Sequence, residues 1–225
     1  MPYLLLLLVS VLPGLLWLVF FYRQDRLNPE PKGLVGKVFL AGMLMVVPAG
    51  VLEMLWQMPL QEARLTRAIL SLLTMAFLVI ALIEEGVKML PLYLLVRPNP
   101  ELNEPVDGIV YGVTVGLGFA ALENLLYTYA MGYRVGLVRA VVGCLAHAAF
   151  SGWGGWYLWQ SKQGAKLLLT MGKGLGFAVF WHGLYDFLLF LEEPVLSLLA
   201  FLAVGILVVG LLEKMQLLVR TTPAG

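Results

Sequence analysis

Seven stretches of about 20 or more apolar residues, punctuated by proline, glycine and charge, constrain this chain more tightly than any other feature. They lie near residues 3–22, 34–57, 66–96, 106–130, 136–160, 168–190 and 194–218. In lipid every backbone N–H and C=O must be satisfied internally, so such a stretch crosses as a helix. The expected fold is therefore all-α, a polytopic transmembrane bundle of seven spans. The third stretch is the longest, and a break or re-entrant piece within it is the route to an eighth crossing. The first stretch has no basic run before it and ends in Arg23, without a small-residue cleavage site, which reads as a retained span and not a signal peptide. No segment is long and polar enough for a soluble domain and no repeat of fixed period is visible, so residues 1–225 read as a single membrane domain.

Composition narrows the function classes. Of the 225 residues 60% are hydrophobic and 13% charged, against roughly 25% charged in soluble domains. The formal net charge is +1 and there is no Lys/Arg-rich run, so nucleic-acid binding has no support. Cys144 is the only cysteine, which rules out an internal disulfide or a cysteine-based zinc site. Any metal would take histidine and carboxylate ligands. Orientation follows from the Lys/Arg bias of the connections. With the N-terminus outside, the cytoplasmic side receives Arg23, Arg26, Lys32, Lys37, Arg97, Lys162, Lys166, Lys173, Lys214 and Arg220. The outside receives Arg64, Arg67, Arg134 and Arg139, so an N-out, C-in arrangement is expected.

Charge inside the apolar stretches is the second signal. An Asp or Lys at the centre of a span costs about 2.5–3.5 kcal/mol on insertion scales, yet Glu84, Glu85, Lys88, Glu123 and Asp186 all occur there. So do His147 and His182, the two histidines of the chain. At 1.5 Å per residue, Glu84 lies about 18 Å from its cytoplasmic helix end, Glu123 about 25 Å, His147 about 20 Å and His182 about 21 Å. Four residues on four spans thus reach one layer, and a shared polar pocket inside the bundle is the simplest arrangement.

Facing agrees with depth. At 100° per residue Lys88 projects about 40° from Glu84 and about 60° from Glu85, so one ammonium can serve both acids. Two carboxyls that cannot both ionise cheaply in low dielectric divide into an acid and a base, although the spacing does not say which is which. Gly112, Gly116 and Ala120 share a side of the fourth span with Glu123 and would admit a neighbouring backbone. Asp186 follows His182 by four residues, suited to accepting a ring N–H; Ser151 stands in the same relation to His147. Asn124 reads as a helix–helix hydrogen-bonder. The plainer alternative for Glu84 with Lys88 is a structural ion pair, and for each histidine an interhelical hydrogen bond.

Together these residues resemble the PrsW family of bacterial intramembrane proteases, relatives of the membrane-embedded prenyl-protein endopeptidases. The resemblance runs from Tyr22-Arg23-Gln24-Asp25-Arg26-Leu27-Asn28-Pro29-Glu30-Pro31 to His182-Gly183-Leu184-Tyr185-Asp186-Phe187. Four motifs carry it: EExxK at Glu84, Glu85 and Lys88; FxxxEN at Phe119, Glu123 and Asn124; His147 within Ala146-His147-Ala148; and HxxxD at His182 and Asp186. The prenyl-protein enzymes carry EExxxR first, a histidine in place of Glu123 and an asparagine in place of Asp186, so prenylated substrates are disfavoured.

The resemblance implies an endopeptidase of the bacterial inner membrane that makes the site-1 cut in a single-span membrane protein, typically an anti-sigma factor, in a stress response. The expected catalytic residues are Glu84, Glu85, His147 and His182, supported by Lys88, Glu123, Asn124 and Asp186. A glutamate-activated water without a cofactor is favoured. In the alternative, zinc is held by Glu123, His147 and His182 with Glu84 as base. Outside proteolysis, the same buried charges would suit a noncatalytic membrane scaffold or a small proton or ion transporter.

Overall fold

The computed structural model describes residues 3–26, 28–164 and 166–221. Leu27, in the first proline-rich turn, lies outside them. The chain forms helices α1 (Tyr3–Tyr22), α2 (Lys32–Met54), α3 (Gln57–Thr66), α4 (Ile69–Val96), α5 (Pro105–Met131), α6 (Tyr133–Lys162), α7 (Leu167–Phe190) and α8 (Pro194–Thr221), with no strand among the described residues. All but α3 are long and apolar enough to cross a bilayer. The 10 residues of α3 reach only about 15 Å. Its Met58 and Leu65 are 75% and 87% exposed, as in a helix lying along the membrane interface.

Among the described residues seven helices are long and apolar enough to cross a bilayer, and the third stretch adds no eighth. The long third stretch passes as one continuous helix, α4, which accommodates its length by widening into π-helical turns at Met75–Ala81 and Leu92–Val96. The second span stops at Met54, earlier than hydropathy suggested. Leu55-Trp56 makes a turn into α3, and a turn made of apolar residues leaves no trace in an apolar pattern.

The centre of the bundle is α5, 78% of whose most apolar window is buried inside the protein. Without a hydrophobic drive between helices in lipid, close packing and hydrogen bonds must hold them, and glycine allows the closest approach. A Cβ added at Gly108, Gly112 or Gly116 would collide with the backbone carbonyls of Gly155, Ser151 and His147 on α6. On another face, a Cβ at Gly118 would meet the carbonyl of Phe39 on α2. Because Gly116 abuts the backbone of His147 itself, this glycine face fixes how near the functional side chains of α5 and α6 can come.

The proline-rich turn before α2 is tied to the start of α5. Asp107 caps that helix, its Oδ2 accepting the backbone N–H groups of Asn103 at 2.9 Å and Glu104 at 2.6 Å. Tyr111 donates its hydroxyl to the Glu30 carboxylate, and Tyr22 donates to the Glu30 carbonyl at 2.8 Å. Glu30 is buried, and desolvation raises its pKa to about 9; the Tyr111 hydrogen bond opposes that rise, while the charges of Asp107 and Asp25 add to it. The folded state therefore keeps a proton that the unfolded chain releases near 4.5. The resulting stability is complete below that pH and is lost as pH rises through about 9. The thermal midpoint in detergent is expected to fall between about pH 6 and about pH 9, and Glu30→Gln to flatten that fall; an equally steep fall in the variant would contradict this assignment.

Candidate active site

Four spans deliver their polar residues to one point. Glu84, Glu85 and Lys88 come from the α-helical turns of α4 that follow its first π-helical segment. Glu123 and Asn124 come from α5, His147 and Ser151 from α6, and His182 and Asp186 from α7. Glu84, Glu85, Lys88, His147 and His182 are each at least 95% buried. They form a connected network, with Asn124 joined to it through Arg139 at its edge.

Lys88 is its hub. The ammonium has three N–H donors and uses all of them, on Glu84 Oε2 at 3.0 Å, Glu85 Oε1 at 2.8 Å and His147 Nδ1 at 2.8 Å. It also lies 4.0 Å from the centroid of the Phe119 ring. An ammonium can only donate, so His147 Nδ1 must accept. That leaves the neutral tautomer whose Nε2–H donates to Glu123 Oε2 at 2.8 Å. His182 is set differently. Its Nδ1 lies 2.9 Å from Glu85 Oε1 and its Nε2 lies 3.4 Å from Asp186 Oδ2, so each ring nitrogen faces a carboxylate, an arrangement that suits an imidazolium. Phe150 stacks on the His182 ring at 5.3 Å and 22°, and the two imidazoles stand perpendicular at 5.4 Å.

The adjacent glutamates are not equivalent. Glu85 is fully engaged: Oε1 accepts from Lys88 and faces His182, and Oε2 accepts from Ser151 at 3.4 Å. Glu84 holds Lys88 through Oε2 alone and lines a cavity of about 290 Å³ that Glu85 does not line. The cavity also takes in Glu123, His147, His182 and Asp186. Trp56, Gln57, Leu60 and Arg64 cover it from α3 and the turn before it.

A buried acid–imidazole network thus gathers from separate spans beside a cavity lined in part by α3. Residues 30–212 match the family described as PrsW family intramembrane metalloprotease. The chain belongs to the PrsW family. It is 37% identical to Protease PrsW of Geobacillus kaustophilus over 186 residues, covering 82% of this chain and 79% of that protein. It is 33% identical to Protease PrsW of Bacillus subtilis over 184 residues, 80% of each chain, and 31% identical to that of Clostridioides difficile over 196 residues, 83% and 80%. No solved structure matches. This PrsW-family chain is thus a multi-pass membrane protease with seven apolar helices.

Whether such a site fits a metal can be asked of its donors. One ligand atom from each of Glu84, Glu85, His147 and His182 lies within 4.8 Å of the others. A tetrahedral zinc with bonds of about 2.0–2.1 Å needs its ligand atoms about 3.3 Å apart, so closing the set takes shifts on the order of 1 Å and withdrawal of the Lys88 ammonium. The histidine and carboxylate chemistry fits zinc. Glu123 is not among these four. Its Oε2 is shared between Arg139 Nη2 at 2.6 Å and His147 Nε2, the position of a carboxylate that orients a histidine from behind.

Two charged residues here were not singled out from the sequence. Arg139, counted among the outer-side charges, bonds Glu123 and donates its Nε–H to Asn124 Oδ1 at 2.9 Å, which makes Asn124 the helix-bridging group anticipated for it. Glu53, one residue before the end of α2, lines the cavity. Both are charges within predicted apolar stretches, the signal that identified the others. They lie near span ends, where a charge is ordinarily solvated.

Proposed function

We propose that this protein is an endopeptidase that cuts one bond of a single-span membrane protein of the anti-sigma-factor type, using a water activated by Glu84. The carrying observation is the asymmetry of the glutamate pair: Glu84 borders the cavity with only Oε2 held, whereas both oxygens of Glu85 are engaged. A base must reach the water it deprotonates, and Glu84 meets that need. Lys88 holds the carboxylate in place, and Glu85 fixes His182 through Nδ1. His182 is then positioned to donate to the developing oxyanion or the leaving amine. Arg139 and Glu123 hold His147 in one tautomer. The cavity, lined in part by α3, sets the bond being cut apart from most of the bulk water. The proposed setting is the inner membrane, with the N-terminus outside, the C-terminus cytoplasmic and the cavity end facing outward.

The convergence of ligand atoms and the family's description support a second reading. A zinc ion held by His147, His182 and Glu85, with Glu84 as base, would supply Lewis-acid polarisation of the carbonyl. The engagement of all three Lys88 donors within that same nest favours the metal-free reading, because the protein's own cation already neutralises it.

The test is cleavage of a reconstituted single-span substrate in proteoliposomes before and after exhaustive chelation, with zinc content measured alongside. Unchanged turnover in zinc-free protein is the expected result. Loss on chelation and recovery on adding zinc would transfer the chemistry to the second reading. Ion flux without cleavage would instead favour a transporter, which the same buried charges would also suit.

A further inference from the structure

Among the described residues, Glu53 is the acid lining the cavity whose side chain forms no ion pair. Glu84 has Lys88 at 3.0 Å, Glu123 has Arg139 at 2.6 Å and Asp186 has His182 at 3.4 Å. The Glu53 side chain makes no ion pair or hydrogen bond among the described residues, and its Oε1 is buried. Nor does the neighbouring Arg64 satisfy it: that guanidinium lies over the Phe190 ring at 4.3 Å. The side chain is only partly covered, yet a buried carboxylate oxygen with no hydrogen-bond donor calls for an explanation.

We infer that Glu53 is a specificity residue that takes a lysine or arginine side chain of the substrate next to the bond to be cut. This deepens the proteolytic reading and rests on it. Three observations support it. The cavity is about 290 Å³, room for one or two side chains and not for a folded partner. Glu53 and the proposed base Glu84 line the same cavity, so a chain anchored at one is presented to the other. And Glu53 stands at the end of α2 beside the interfacial helix α3, at the level of the residues that flank the apolar segment of a single-span protein. A cationic side chain entering under α3 would pair with Glu53 in a water-poor setting, and that pairing would set the register of the peptide against Glu84.

The probe is a set of synthetic single-span peptides, identical except for Lys, Met or Glu at the first residue beyond the apolar segment. Binding is measured on the full chain in nanodiscs carrying Glu84→Gln, so that affinity is read without turnover. The lysine peptide is expected to bind at least about tenfold more tightly than the methionine peptide and the glutamate peptide more weakly than either. Adding Glu53→Gln should bring the lysine-to-methionine ratio to about one. Adding Glu53→Lys should make the glutamate peptide the preferred one, a gain that misfolding cannot imitate. Equal affinities for the three peptides with Glu53 intact, or a lysine preference that survives Glu53→Lys, overturns the assignment. If the charge preference holds and inverts as stated but the enzyme with Glu84 intact cleaves none of the peptides, the recognition site stands and the proteolytic reading fails.

Discussion

Glu84→Gln is expected to lower kcat by about 10²–10⁴-fold, the usual worth of a positioned general base, with KM little changed. The amide keeps the shape of the side chain, and its carbonyl oxygen can still accept from Lys88, so the bundle should fold and melt close to the unsubstituted protein. Glu85→Gln should behave differently. That side chain accepts from Lys88 and Ser151 and faces His182, so the change should depress the thermal midpoint as well as the activity. Measuring both variants in one proteoliposome assay, each with a melting curve, separates the roles. Full turnover in Glu84→Gln would remove it as the base.

Lys88→Met should be the most destabilising single change in the bundle. It leaves two buried carboxylates without their cation and His147 Nδ1 without its donor, in a site where Lys88 is 1% exposed. Removing one partner of a buried ion pair costs about 3–5 kcal/mol, enough to lower the amount of folded protein in the membrane severely. The measurement is the yield of monodisperse protein and its thermal midpoint. Because the penalty comes from uncompensated charge, Lys88→Met combined with Glu85→Gln should recover a large share of the lost stability without recovering cleavage. A single variant as stable as the starting protein would mean that the ammonium is not the electrostatic centre of the site.

The seven crossings were legible in the amino-acid order because the bilayer imposes one length and one backbone solution on every span, and the chain obeys both. The buried charges were legible for a related reason: a glutamate, lysine or histidine within an apolar stretch is costly, so Glu84, Glu85, Lys88, Glu123, His147, His182 and Asp186 stood out without any coordinates. Depth counting placed four of them in one layer because helix rise is nearly constant. Packing decided the rest. Which glutamate borders the cavity depends on how α4 turns through its π-helical segment and on where α6 and α7 press against it, and a shift in facing of that kind has no local signature. The clasp of Arg139 on Glu123, the single tautomer it helps impose on His147 and the solitary carboxylate of Glu53 arise only once α2, α5 and α6 lie side by side. Sequence order sets the chemical cost of each residue, but partners are chosen in three dimensions.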